Sequence, residues 1–165
     1  MRKFIFILIG LTFFTFAGCN EKVTGEEKIA VNYIKQQGYK LISEEGQLQK
    51  YTLKKSQLYG KENMPNMQVW ALQKAKPEDF IEKEITVYGF IVKNHPEDKL
   101  KNSDKYRTVL RIMMCENKII GGTSGPEGEY IGGALSIDGK TIEEVTGLTY
   151  IQWFENWKKK YGDQL

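Results

Sequence analysis

Apolar and polar positions divide the 165-residue chain into two unequal parts. Residues Phe4 to Phe16, "FIFILIGLTFFTF", form one uncharged block behind the cationic start Met1-Arg2-Lys3. As a helix this block spans roughly 20 Å, short of the ~30 Å hydrocarbon core of a bilayer. A charged start, a short apolar core and a border of small residues describe an export signal rather than a membrane span. Beyond it the pattern becomes short and alternating. "TGEE", Thr24 to Glu27, has the spacing of a capping box. It predicts a helix to about Gln37, with Ile29, Tyr33 and Ile34 as its apolar face and Gly38 at its left-handed end.

The next runs, "YKLIS" and "QKYTL", flank Gly46 and read as a hairpin. "MQVWALQ", Met67 to Gln73, reads as a third strand, and "KPEDF" as a short helical turn begun by Pro77. "EITVYGFIVK", Glu84 to Lys93, is apolar or aromatic on both faces and predicts a strand inside the sheet. "NHPEDKLKNSD" reads as a polar loop. "KYRTVLRIMMC" and "KIIGG" stand two residues apart, around Glu116 and Asn117, at hairpin spacing. Gly121 to Gly128 reads as a glycine-rich loop, followed by a last strand in "YIGGALSI". Two more capping boxes, "TIEE" at Thr141 and "TYIQ" at Thr149, open C-terminal helices, the first stopped by Gly147. In the second, Tyr150, Trp153, Phe154, Trp157 and Tyr161 share one face, and Lys158 to Lys160 complement the dipole at its end.

These elements imply an α+β fold: a mainly antiparallel sheet of five to seven strands. The N-terminal helix and an aromatic amphipathic C-terminal helix are expected to pack on one of its faces. The expected organisation is a signal peptide over 1–18, a lipidated N-terminus and short tether over 19–25, and one α+β domain over 26–162.

The border "FAGC", Phe16 to Cys19, resembles the lipobox of bacterial lipoproteins, with Phe16 where Leu is usual. The resemblance implies that the Cys19 thiol takes a diacylglyceryl group and that cleavage leaves Cys19 as the first residue. Two acyl chains hold a protein on a membrane where one does not. The expected address is therefore the outer face of the cytoplasmic membrane. The tether "NEKVTG" extends at most ~20 Å, which keeps the folded part close to the bilayer.

Removing the signal changes the charge balance. Without Arg2 and Lys3, 22 basic residues face 21 acidic ones. That near-neutral balance offers no bulk attraction to nucleic acid or acidic lipid. The remaining 147 residues suffice for one domain with a core. With Cys19 acylated, Cys115 is the unpaired cysteine. It ends an apolar strand, and the expectation is a buried, inert thiol.

The candidate chemistry is sparse. "ALSIDGKT", Ala134 to Thr141, matches a loose phosphate-loop pattern, but Leu135 and Ile137 crowd it, Asp138 repels phosphate, and the next helix ends at Gly147. A strand, an Asp-Gly turn and a Thr141 cap account for the same residues. His95 is the sole histidine and the natural general base. Paired in space with Cys115 it would make a thiol or hydrolytic enzyme; otherwise Asn94 and His95 shape a turn before Pro96. One histidine and one free cysteine cannot build a usual zinc site. The Trp153/Trp157 face belongs either to the core or to a partner-binding surface. No cofactor, metal or nucleotide is called for.

"ITVYGFIVKNHPED", "KIIGG" and "GGALSIDGKTIEEVTGLTYIQWFENW", behind a lipobox, resemble a family of small uncharacterised lipoproteins from Bacillus-type Gram-positive bacteria. The resemblance covers most of residues 28 to 161 and favours the same membrane address. It implies no activity, substrate or catalytic residue. The functional expectation is a non-enzymatic, membrane-anchored binding or interaction module at the cell envelope, with an envelope protein or peptide as partner. The alternative is an enzyme using Cys115 and His95.

Overall fold

The structure, a computed structural model, describes residues 25–100, 107–128 and 133–162. The expected signal, Cys19 and Thr24 lie outside the described residues. Helix α1, Gly25–Gln36, leads into β1, Lys40–Thr52. Two 3-10 turns precede α2, Met64–Ala71, and a third at Pro77–Phe80 precedes β2, Glu84–Lys93. Then come α3 (Pro96–Leu100), β3 (Thr108–Cys115), β4 (Lys118–Pro126), β5 (Leu135–Ser136), α4 (Ile142–Thr146) and α5 (Tyr150–Tyr161). The described strands form one antiparallel sheet in the order β1-β2-β3-β4-β5. The α+β reading holds.

Several local signals produce the expected element. Both C-terminal capping boxes are made: Thr141 and Thr149 accept the backbone N–H groups of Glu144 and Gln152, whose side chains accept in return. Gly147 ends α4 at φ 70°, and Gly38 follows α1 at φ 81°. Glu116 and Asn117, at φ 51° and 60°, make the mirror-image turn that a two-residue hairpin needs. Strand β2 is buried on both faces from Ile85 to Val92.

Other expectations are corrected. The hairpin at Gly46 is one 13-residue strand, with Gly46 at φ 69° beside one of three register shifts against β2. A glycine inside a strand pattern marks a bulge as readily as a turn. "MQVWALQ" is mostly helix α2, because Met67, Trp70 and Ala71 fall on one helical face and are all buried. The glycine-rich segment is largely strand β4, paired to β3 along its length. Most of the polar loop's described part is α3. The buried face of α1 is Glu27, Ala30 and Ile34, one residue round from the expected stripe, leaving Ile29 38% exposed.

The helices also lie on opposite faces of the sheet rather than one. Side chains alternate along a strand. Tyr88, Phe90 and Val92 of β2, with Leu110, Ile112 and Met114 of β3, pack against Ala30 and Ile34 of α1. Ile85, Val87 and Met113 point the other way, into a cluster with Trp70 of α2 and Tyr161 of α5. Trp153 continues that second layer with Met67, Ala71 and Ile142. The sheet is thus the middle of three layers.

Candidate functional site

His95 follows the last residue of β2 by two positions, after Asn94 turns the chain at φ 68°. Asp98 closes that turn: one carboxylate oxygen accepts the His95 backbone N–H (3.1 Å) and the other accepts the Thr108 hydroxyl (2.7 Å). The His95 side chain is 0% exposed, against Tyr39 with ring centres 4.9 Å apart. Its Nε2 lies 3.0 Å from the Ile137 carbonyl, and its Nδ1 lies 3.2 Å from the Glu97 backbone nitrogen. A carbonyl only accepts and an amide only donates, so Nε2 carries the hydrogen and Nδ1 accepts. Neither ring nitrogen is left to take a substrate proton.

Two more buried polar side chains complete this clasp. Glu97 and Ser124 are 5% and 3% exposed. The Ser124 hydroxyl is hydrogen-bonded to the Glu97 carboxyl and to the Ser136 carbonyl. Serine, glutamate and histidine meet here, but not in catalytic order. Nucleophilic catalysis requires histidine to touch the hydroxyl; here the carboxyl stands between them, with His95 Nδ1 3.8 Å from Glu97 Oε1. The arrangement joins α3, β4 and the turn after β5. Buried polar groups are stable only when partnered, and these partner one another.

The turn after β5 is the segment of the phosphate-loop match. Gly139 N–H donates to the Ser136 carbonyl, and Lys140 N–H to the Ser136 hydroxyl. The Ser136 hydroxyl donates to Asp138 (2.6 Å). These amides already have partners within the turn, and α4 behind them is a five-residue helix.

Cys115 is not brought to His95. Thr108, bonded to Asp98 beside His95, begins β3, and Cys115 ends it, roughly 23 Å away at about 3.3 Å per residue. Burial pushes the Cys115 thiol above its ordinary value, and the Glu116 carboxylate adds to the rise. A thiol so placed is a poor nucleophile. Trp153 is 3% exposed, and the Trp157 indole N–H donates to the Leu58 carbonyl (2.6 Å). Trp153 is thus part of the core, whereas Trp157 remains partly exposed. Among the described residues, no group of three or more His, Cys, Asp or Glu side chains is placed to hold a metal ion.

What the fold does build is a cleft of about 680 Å³. Tyr33 of α1, with Gln37 and Tyr39 after its end, forms one side; Asp138, Lys140 and Val145 form another; Ile119 to Gly121 of β4 and Leu72 to Lys74 complete it. Gln73 shapes its edge. Its amide oxygen accepts the Gly122 N–H (2.8 Å), and its amide nitrogen donates to the carbonyls of Gly122 (3.2 Å) and Val69 (2.5 Å). The side chain thus pairs with β4 as a strand would, short of where β5 begins pairing at Thr123. Burial pushes the Tyr33 and Tyr39 hydroxyls above their ordinary values, and the Asp138 carboxylate adds to both shifts. Burial also pushes Asp138 upward, but hydrogen bonds from Lys140 (2.6 Å) and Ser136 outweigh it and hold the carboxyl below its usual range.

The cleft therefore offers branched aliphatic walls, two phenols, and a carboxylate–ammonium pair. Sequence reasoning reached Asp138 and Lys140 only through the phosphate-loop match, and it missed Tyr39, Gln73, Glu97 and Ser124. Their roles rest on contacts far apart in the chain, such as Glu97 with Ser124, Gln73 with Gly122 and Tyr39 with His95. The chain matches no protein-family model, no curated protein and no solved structure.

Proposed function

We propose that this chain is a lipid-anchored, extracytoplasmic binding module of the cell envelope, and that the cleft between α1, β4 and the β5–α4 turn receives its ligand, a peptide or protein segment. The observation that carries the binding reading is the cleft. It is concave and mainly apolar, with a few placed polar groups, as recognition sites are. The anchor reading is supported by "FAGC" at the end of an apolar block and by the lipoprotein resemblance. A non-enzymatic role is supported by the bonding of His95, whose nitrogens are both committed, and by its distance from Cys115.

Photo-crosslinking in intact cells tests the binding reading. A benzoylphenylalanine at Gln37, in the cleft, yields an adduct of defined mass. The same group at Gln152, on the exposed side of α5, does not. Val145→Arg, at a partly exposed cleft position, abolishes the Gln37 adduct while leaving the melting temperature unchanged. Identical adducts at both positions, or none at Gln37, would sink the cleft. Cys19→Ala tests the address separately: release from the membrane or loss of processing is expected, and unchanged retention removes the anchor.

A further inference from the structure

The start of α1 has a definite place on the sheet. Glu26, its second residue, accepts the Asn117 backbone N–H (3.2 Å) and the Tyr88 hydroxyl (3.3 Å). Gly25 is thereby held beside the β3–β4 hairpin. Five residues separate Cys19 from Gly25, a reach of at most about 20 Å. From there α1 runs along the sheet towards His95, where Tyr39 packs. The opposite end of the sheet, at Lys93 and Thr108, lies roughly 25 Å beyond the hairpin at the ordinary rise of a strand.

We propose that the hairpin end is the membrane-facing surface of the domain, apposed to lipid headgroups without inserting among them, and that the Tyr33 and Tyr39 side of the cleft is presented away from the bilayer. The assignment rests on the Cys19 anchor. The length of the tether and the place where it ends carry it, because a leash of ~20 Å cannot bring the Lys93 end down in place of the hairpin. The chemistry of the hairpin end explains why it does not insert. Glu26, Glu82, Glu84 and Glu116 surround a depression there, with Lys50 and Lys83 between them. Lys50 pairs with Glu84 (2.7 Å) and Lys83 with Glu116 (3.5 Å), so even with the exposed Lys118 beside the turn a small acidic excess remains. Charged side chains of this kind are expensive in hydrocarbon, and an acidic excess is repelled by anionic headgroups. The cleft starts near the hairpin, with Ile119 two residues from Asn117, but Tyr33 stands about 12 Å along the helix axis from Gly25, and Gln37 and Tyr39 follow the end of α1. A ligand therefore reaches the Tyr33 and Tyr39 side of the cleft from the aqueous side.

Energy transfer to a lipid dye tests the orientation. The full lipoprotein, purified from membranes, is placed on vesicles of phosphatidylglycerol and phosphatidylcholine carrying a sparse headgroup acceptor. An azide-bearing residue at Asn117 or at Lys93 takes the donor dye, so no cysteine is changed. Transfer from position 117 is expected to exceed that from 93 severalfold. Equal transfer, or more from 93, with the protein still on the vesicles, overturns the orientation and leaves the anchor standing. Protein that does not stay with vesicles overturns the anchor and the orientation together.

Discussion

Truncating His95 distinguishes a structural clasp from a working base. In His95→Ala the imidazole leaves a cavity between Tyr39 and the β5–α4 turn, where a side chain on Gly139 would press on the ring. Emptying a buried site of this size costs about 2–4 kcal/mol. The Ile137 carbonyl and the Glu97 N–H also lose their partner, and an unsatisfied buried group costs about 1–3 kcal/mol. Partial collapse recovers some of this, so about 3–5 kcal/mol is the expected loss. That is a large share of the roughly 5–15 kcal/mol that holds a domain together. Urea unfolding read through tryptophan emission measures it, since Trp70, Trp153 and Trp157 all lie in the layer opposite α1. His95→Gln places an amide donor near the Ile137 carbonyl and should recover about 1 kcal/mol. A His95→Ala protein within about 1 kcal/mol of the parent, yet deficient in function, would refute the clasp, because only a residue held for chemistry behaves that way.

Gly121→Ala drives a methyl group into the Gln73 side chain, so it and Gln73→Ala should each weaken the same clip, by about 1–2 kcal/mol, and the double variant should lose less than the sum; strict additivity in denaturant unfolding would show that the clip is not a unit. The Cys115 thiol, pushed up by burial and by Glu116, should react slowly with an aromatic disulfide reagent at neutral pH and rapidly once denaturant is added. Fast labelling of the folded protein would contradict its buried place. Asp138 is held below its ordinary range in the fold, so its contribution is present above the unfolded carboxylate value and is lost as pH falls through the depressed folded value. Melting temperature measured against pH should therefore fall less steeply across the acid range in Lys140→Met, and an unchanged slope would remove the pair from the acid response.

The elements legible in the chain are those whose causes are local. A Thr followed three residues later by Glu or Gln satisfies its own helix start, so α4 and α5 began where Thr141 and Thr149 stand. Glu116-Asn117 between apolar runs makes a two-residue turn, and an unbroken apolar run from Ile85 to Val92 suits a strand covered on both sides. "MQVWALQ" was misread because seven apolar-rich residues fit either period, and Trp70 became helical through its packing with Leu53, Ile85 and Tyr161. Gly46 was misread because a glycine permits a turn and a bulge equally, and pairing with β2 settled which.

From sequence alone came the class of fold, the helix starts, the β3–β4 hairpin, the buried character of β2, and the expectation of a lipid anchor at Cys19. These depend on a few neighbouring residues and on the ordinary preferences of the backbone. Tertiary structure decided that α1 and α5 cover opposite faces, because one residue of rotation or register exchanges which side of a strand is apolar. It decided that His95 closes on Glu97 and Ile137 rather than on Cys115, since those partners are set by which ends of β2, β3 and the β5–α4 turn the sheet brings together. It also made the cleft, whose walls come from four separate stretches of chain and exist only where the layers meet.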